Sequence, residues 1–196
     1  GIDNFSDYYS VDYKKKRLNE LRENKNFKFF KIDIIYYEKL EKLYKKNYFN
    51  HVFHFAAQAG VRYSLINPKS YIKSNINGFF NVLNLSLKFK VKKFFYASSS
   101  SVYGELKKFP LKENYDLRPK NIYGLSKKMN EEMLNVLLQK NKTQCVGLRF
   151  FTVYGEWGRP DMFMMKYLNA TYNESKIFYL NNYGNHFRDF TYIEDV

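Results

Sequence analysis

The chain has 196 residues, enough for one sizeable core, and its 33 Lys and Arg against 19 Asp and Glu give a net charge of +14. Such a charge suggests a nucleic-acid or anionic-membrane partner. The basic residues are mostly lysines spread over predicted helices and loops, whereas arginine, which recognises phosphates and bases in bidentate fashion, is scarce. We therefore expect no nucleic-acid partner. No apolar run approaches the roughly 20 residues of a membrane span, and the lone Cys145 allows no disulfide within the chain. These features predict a soluble cytoplasmic protein without a membrane partner.

Short apolar runs of strand type alternate along the chain with longer segments of helical period. The predicted strands are 27–32, 51–56, 93–98, 145–151 and 176–180, and the predicted helices are 12–23, 38–46, 69–89, 125–139 and 161–172. This alternation indicates βαβ units around a parallel sheet. Ligands of such sheets bind beyond the carboxyl ends of the strands. Functional residues are therefore expected just after Ile2, Ile32, Phe55, Ala97 and Phe151.

Three of these strand ends carry residues suited to a dinucleotide. Asp3 follows the first, where such units bind the adenosine ribose hydroxyls, although Asp-Asn is also ordinary turn chemistry. Asp33 and Ile34 follow the second, where a carboxylate beside an apolar residue could receive an adenine, and a helix N-cap is equally consistent. Ala56 and Ala57 follow the third. Their small side chains let a ligand approach the backbone, but close strand–helix packing requires the same.

Four serines, 98–101, follow the fourth strand, and the next predicted helix offers a partner for them. Tyr123 and Lys127 are four residues apart, so their side chains leave the same helix face. Tyrosine has a reference pKa of about 10 and is a poor base at neutral pH, but a nearby ammonium group lowers that value. Tyr-x-x-x-Lys is common by chance in a chain so rich in both residues. The serine-rich strand end before it makes the combination specific.

With these motifs the sequence resembles the extended short-chain dehydrogenase/reductase family, in its branch of NAD-dependent nucleotide-sugar epimerases and dehydratases. The matching segments are GIDN, HFAAQAGVRYSLINP, SNINGFFNVLN, YASSSSVYGE, YGLSKKMNE, LRFFTVYGEWGRPDM and RDFTYIEDV. Within the branch, AAQAGVRYS, SSSSVYG and RFFTVYGEWGRPDM are most similar to UDP-glucuronate 4-epimerases. The resemblance implies a Rossmann-like doubly wound parallel sheet. Residues 1–155 would form part of an NAD-binding domain, and 156–196 the start of the substrate-binding region.

The resemblance also implies roles for the motif residues. Tyr123 would remove the proton from the C4 hydroxyl of a UDP-sugar while hydride passes to NAD⁺, and the 4-keto sugar would rotate and take the hydride back on its other face. Lys127 would bind the nicotinamide ribose and lower the pKa of Tyr123. Ser99 would hydrogen-bond the reacting hydroxyl. The strand-end residues proposed above, Asp3, Asp33, Ile34, Ala56 and Ala57, would contact NAD together with the Tyr–Lys pair.

Five further residues are implied as substrate contacts: Ser100, Ser101, Thr152, Arg159 and Arg188. Dehydratases of this branch carry an Asp-Glu pair after the catalytic hydroxyl residue, and decarboxylases carry a glutamate near it. Serines can do neither job but suit hydrogen bonding to a sugar carboxylate, so epimerisation is favoured. Arg149 lies inside a strand pattern and is expected to form a structural ion pair, and Asn75 matches a helix-buried asparagine of the family.

The first strand of the family and its Gly-rich turn, G-x-x-G-x-x-G, are not among the 196 residues. We expect them before Gly1, and most of the C-terminal lobe after Val196. Strand 1 is central in the order 3-2-1-4-5-6, so the sheet should be cut in its middle. We expect the 196 residues alone neither to bind NAD tightly nor to turn over substrate, and the full-length enzyme to be a homodimer.

Two other functions stay open on the sequence. A UDP-glucose/UDP-galactose 4-epimerase would use the same three catalytic residues. A non-catalytic binding module would keep the fold and use its basic surface for nucleic acid, although the presence of Ser99, Tyr123 and Lys127 argues against it.

Overall fold

The computed structural model describes residues 1–106, 108–173, 177–185 and 187–196. Its strands are β1 Ile2–Asp3, β2 Phe30–Lys31, β3 His51–His54, β4 Lys93–Ala97, β5 Gln144–Leu148, β6 Thr152–Tyr154 and β7 Phe190–Tyr192. Its α-helices are α1 Val11–Arg22, α2 Tyr37–Lys46, α3 Tyr63–Ile66, α4 Pro68–Tyr71, α5 Phe79–Lys88, α6 Ile122–Leu137 and α7 Phe163–Thr171. A π-helix, Ile72–Gly78, lies between α4 and α5.

Every strand pair described is parallel. β3, β4 and β5 form one sheet in that order, β1 pairs with β2, and β6 pairs with β7. Helices connect the successive strands except β5 and β6, so the predicted α/β class with a Rossmann-like parallel sheet is confirmed. Within the described ranges no ladder joins β1–β2 to β3–β4–β5. The predicted division of the sheet is therefore observed.

Contacts group the chain into two compact units. The larger unit contains residues 2–4 and 30–150, hence β1 to β5 and α2 to α6. The smaller unit contains Gly1, residues 5–29 and residues 151–196, hence α1, α7, β6 and β7. The division of ligand-binding roles near residue 155 concerns function rather than these contacts, and it stays a prediction.

The core of the larger unit lies between the three-stranded sheet and α5. Alternation along β4 turns Phe94 and Tyr96 toward the helices, where both are buried. Phe79 of α5 packs edge-on against both rings, with centroids 6.0 and 5.4 Å apart. Its neighbours Val82 and Leu83, three and four residues on, are buried beside it. The apolar faces of β4 and α5 therefore pack together in one layer.

Several predicted boundaries were wrong. The helix predicted over 69–89 is broken into α4, a π-helix and α5. The strand predicted over 145–151 ends at Leu148, because the Phe150 amide donates to the Leu148 carbonyl at 3.0 Å and turns the chain. Lys176, in the strand predicted over 176–180, lies outside the described residues. Residues 177–180 are not in a strand, and Ile177 and Tyr179 are exposed instead of packing on a sheet. Among the described helices, none combines the length and apolar character that a bilayer crossing requires.

Candidate active site

The four serines form a tight turn at the carboxyl end of β4. Ser99 has extended backbone angles (φ −160°, ψ 147°) and caps a 3₁₀-helix, Ser100–Val102, by accepting a hydrogen bond from the Ser101 amide at 3.1 Å. The Ser100 amide donates to the Phe150 carbonyl at 2.9 Å. Ser98 and Ser99 are buried, whereas Ser100 and Ser101 are half-buried. The run is therefore an ordered turn that holds the Ser99 hydroxyl in a fixed place.

The first turn of α6 packs directly on this serine turn. Asn121 caps the helix, its side-chain oxygen accepting from the Gly124 amide at 2.8 Å. A Cβ added at Gly124 would lie 2.5 Å from the Ser101 carbonyl oxygen. Only a glycine therefore permits this approach, which brings the helix turn of Tyr123 against the serines. Sequence reasoning missed Gly124, although its place inside the Tyr-x-x-x-Lys motif was a usable signal.

Lys127 is a buried cation beneath Tyr123. Its Nζ lies 5.9 Å from the centroid of the Tyr123 ring and donates to the Ala97 carbonyl at 2.7 Å. Burial lowers the pKa of Lys127 to about 8, so the ammonium form still dominates at neutral pH. The predicted placement of the Tyr–Lys pair on one helix face, beside the serine turn, is therefore observed. The catalytic roles stay predictions.

Asn75 ties the loop after β3 to this helix. Its Oδ1 accepts from the Gln58 amide at 2.7 Å, and its Nδ2 donates to the Gln58 carbonyl and to Ser126 Oγ, each at 3.0 Å. Ser126 in turn donates to the Tyr123 carbonyl at 2.7 Å. Asn75 is buried within the π-helix, as a helix-buried asparagine was expected to be. The network therefore fixes the backbone of Tyr123 through its carbonyl group.

The predicted dinucleotide contacts lie at the strand ends, as expected. Asp3 is exposed at the end of β1. Asp33 accepts from Asn4 Nδ2 at 2.8 Å and from the Ile35 amide at 3.0 Å, so it is held by a turn. The Ile34 side chain is 6% exposed and packs in the core, so it offers almost no apolar surface to an adenine. Any contact of Ile34 with a cofactor would therefore involve its backbone.

The same region can be tested for its fit to NAD. Ala56 and Ala57 follow β3 with half-buried methyl groups, which leave room for a flat ligand near the backbone. A lysine ammonium has three N–H donors, and in the described part of the chain Lys127 gives one to a protein acceptor, the Ala97 carbonyl. Two donors then suit the two hydroxyls of a ribose. The donor set fits the cofactor.

The remaining substrate candidates, Thr152, Arg159 and Arg188, belong to the smaller unit. Thr152 begins β6, and its amide donates to the Asp189 carbonyl at 3.2 Å. Arg159 binds Asp161 through two hydrogen bonds of 2.9 and 3.0 Å, which with the Tyr8 hydroxyl lower the pKa of Asp161 against the effect of burial. Arg188 is exposed and donates to the Phe187 carbonyl at 2.9 Å.

Arg149 forms the structural ion pair that its position in a strand pattern predicted. Its partner is Glu131 of α6, at 2.8 Å between Nη2 and Oε2. Sequence reasoning missed Glu131. The available signal was its spacing, because it lies four residues after Lys127 and eight after Tyr123 on the same helix.

Comparison with known proteins places this geometry in a family. The model of the NAD dependent epimerase/dehydratase family matches residues 6–196. The chain belongs to this family. The matched range includes the serine turn and the Tyr–Lys helix just described.

Several curated relatives match the whole chain. Protein CapI of Staphylococcus aureus is 44% identical over 198 residues, and the chain spans 58% of its length. UDP-glucuronate 4-epimerase of Thermodesulfobacterium geofontis is 41% identical over 199 residues, and the chain spans 60% of its length. The chain is thus equivalent to less than two thirds of each.

Solved structures give the same picture. UDP-glucuronic acid 4-epimerase of Bacillus cereus, in complex with UDP-glucuronic acid and NAD, superposes with a TM-score of 0.91 at 33% identity. The match covers 100% of this chain and 61% of that one. UDP-glucose 4-epimerase of Thermotoga maritima gives 0.86 at 28% identity, over 99% of this chain and 61% of that one. The family likeness therefore extends to enzymes with different sugars.

Proposed function

We propose that the protein is an NAD-dependent nucleotide-sugar 4-epimerase that converts UDP-glucuronate to UDP-galacturonate. The observation that carries the proposal is the assembly of Ser99, Tyr123 and Lys127. The helix turn of Tyr123 packs on the serine turn, and the Lys127 ammonium lies 5.9 Å from the Tyr123 ring. An isomerase is supported further by the likeness to 4-epimerases over the whole chain.

The residues present account for the proton transfers. The buried ammonium of Lys127 favours the phenolate of Tyr123, which accepts the proton of the sugar C4 hydroxyl. The Ser99 hydroxyl orients that oxygen, since the Ser99 Oγ is itself fixed by the Ser101 amide. NAD, when bound through Lys127 and the strand-end residues, supplies the hydride acceptor and donor. Tyr123 returns its proton to the oxygen of the 4-keto sugar, which closes the cycle without net oxidation.

UDP-glucuronate is favoured over UDP-glucose by the polar groups offered to a sugar carboxylate. Ser100 and Ser101 are half-buried hydroxyls at the turn, and neither is acidic. Arg188 is proposed to bind the carboxylate or the diphosphate, since a guanidinium matches both in bidentate fashion. Thr152 is proposed as a hydroxyl contact to the same groups, and Arg159 as a positive charge near them, because its Nε and Nη2 already bind Asp161. We also propose a cytoplasmic homodimer. Exposed apolar side chains on α5 and α6, Phe80, Leu125, Met129 and Val136, support the pairing.

Product analysis of the full-length protein tests the proposal. Incubation with UDP-glucuronate and NAD should yield UDP-galacturonate, with slower or no conversion of UDP-glucose. Tyr123→Phe should lower kcat by about 10²- to 10⁴-fold, the usual contribution of a general base. Faster epimerisation of UDP-glucose would identify a UDP-hexose enzyme instead. Salt-dependent nucleic-acid binding that survives Tyr123→Phe, without turnover, would identify a binding module.

A further inference from the structure

Glu131 lies on the same face of α6 as Tyr123 and Lys127. Tyr123, Lys127 and Glu131 are spaced by four residues, so their side chains project from one face of the helix. The Glu131 and Arg149 side chains are 12% and 20% exposed. A carboxylate so buried requires a specific reason, since charged groups are rarely buried unless paired.

The contacts of this carboxylate point to the serine turn. Ser98 Oγ donates to Glu131 Oε1, at 2.5 Å. Arg149 binds both oxygens of Glu131, with Nε to Oε1 at 3.1 Å and Nη2 to Oε2 at 2.8 Å. This bidentate fork fixes the orientation of the carboxylate as well as its position.

Arg149 connects the ion pair to the other end of the serine turn. Its Nη1 donates to the Tyr103 hydroxyl at 3.0 Å and to the Glu113 carbonyl at 2.9 Å, and its guanidinium lies 5.0 Å from the Tyr103 ring centroid. Tyr103 is itself buried. Ser98 comes directly before Ser99, and Tyr103 comes directly after the 3₁₀-helix that Ser99 caps. Both ends of the serine turn are therefore attached to one ion pair, and the ion pair is attached to the helix of Tyr123.

We propose that Glu131 and Arg149 are positioning residues that hold the Ser99 hydroxyl in register with Tyr123. The inference rests on the proposed function, because it assigns the pair a role in the same reaction. Neither residue is required to exchange a proton. Their effect on the reaction passes through the place of Ser99, and a displacement of about 1 Å at a reacting group costs on the order of 10²-fold in rate.

A double-mutant cycle in the full-length protein tests this role. Glu131→Gln keeps the volume of the side chain but removes the charge that binds the guanidinium. It should lower kcat for UDP-glucuronate by about 10- to 100-fold and change KM by less than about threefold. In a Ser99→Ala background the same substitution should lower kcat by less than about threefold, since no hydroxyl remains to be positioned. A residue that only stabilised the fold would give the same factor in both backgrounds.

Two further variants make the result decisive. Glu132→Gln, on the exposed neighbouring position, is the matched control and should leave kcat unchanged. Ser98→Ala removes the hydrogen bond between Glu131 and the first end of the turn, and it keeps both the ion pair and the bond from Arg149 to Tyr103. Ser98→Ala should lower kcat in the parent and have a smaller effect in the Ser99→Ala background. It serves in place of Glu131→Gln if that variant does not fold.

The possible outcomes separate this inference from the proposed function. Equal factors in the two backgrounds, or an unchanged kcat for both Glu131→Gln and Ser98→Ala, would overturn the positioning role while Ser99→Ala still impaired the enzyme. An absence of epimerase turnover in the parent, or no effect of Ser99→Ala, would refute the proposed function, and the inference would fall with it.

Discussion

The buried ammonium of Lys127 should leave a measurable mark on stability. Burial lowers the pKa of Lys127 from 10.5 to about 8. At about 1.4 kcal/mol per pKa unit, that difference means that keeping the charge inside the fold costs about 3 kcal/mol at neutral pH. Lys127→Met has a similar shape and no charge. It removes this cost, and it also removes the hydrogen bond to the Ala97 carbonyl, which does not depend on pH.

The direction of the pH effect follows from proton counting. Between pH 8 and 10.5 the unfolded chain keeps a proton on Lys127 that the folded chain has lost. The contribution of this group to the free energy of unfolding therefore rises with pH across that window. The cost is fully present below pH 8 and is gone above 10.5. In Lys127→Met the contribution is absent at every pH.

Urea unfolding of the full-length parent and of Lys127→Met, at pH 7.5, 9 and 10.5, measures the effect. The free energy of the variant minus that of the parent should fall by about 3 kcal/mol from pH 7.5 to 10.5. Taking this difference cancels groups that act in the opposite direction, such as Tyr44 and Cys145, whose pKa values burial raises. Lys128→Met, at the neighbouring lysine, is the control for replacing a lysine of α6 by methionine. A constant difference for Lys127→Met would refute the reasoning that its charge is buried at a cost.

Three other substitutions test the surroundings of the site. Burial, and then the charge of Lys127, lowers the pKa of His54 to about 3, so stability should fall as pH drops from 6.5 toward 3. His54→Gln should recover about 3 kcal/mol of that loss at pH 4 in urea unfolding, and an unchanged acid sensitivity would contradict this. Gly124→Ala should lower the free energy of unfolding by about 1–3 kcal/mol, because the added methyl group would lie 2.5 Å from the Ser101 carbonyl oxygen. An unchanged melting temperature would contradict this. Asn75→Ala should cost about 1–3 kcal/mol by leaving buried partners unpaired. A midpoint equal to the parent's would exclude that account.

Secondary structure could be predicted wherever the apolar residues of a segment followed a single helical or strand period. The run over 69–89 reads as a helix because its apolar residues follow the helical spacing, and α5 does bury Phe79 and Leu83. The π-helix Ile72–Gly78 could not be predicted, because Asn75 there bonds to groups 17 and 51 residues away in the chain. Tertiary hydrogen bonds of this kind have no local pattern. The strand predicted over 176–180 was wrong for a related reason, since apolar residues alone do not supply a sheet to pair with.

The site shows the same limit at the level of single residues. Tyr123 and Lys127 could be predicted to share a helix face, because a spacing of four residues decides it. Glu131 obeys the same spacing and was overlooked, since a glutamate on an amphipathic helix is usually solvated. Only the fold brings Arg149, 18 residues further along the chain, onto its carboxylate.

One face of α6 therefore carries an ammonium and a carboxylate that are both withdrawn from water. A hydrophobic residue in place of Lys127 would avoid the cost of a buried charge, whereas one in place of Glu131 would leave the charge of Arg149 without its partner. The two buried charges differ in how well their surroundings compensate them. Lys127 keeps a charge that lowers stability, with one hydrogen bond to a backbone carbonyl, whereas Glu131 is compensated by a bidentate arginine and a serine. A charge beside Tyr123 that is held at a cost in stability agrees with a catalytic role, and a compensated charge behind Ser99 agrees with a positioning role. Substitution of Lys127 should thus remove that cost at neutral pH and lose turnover, while substitution of Glu131 should lose both stability and turnover.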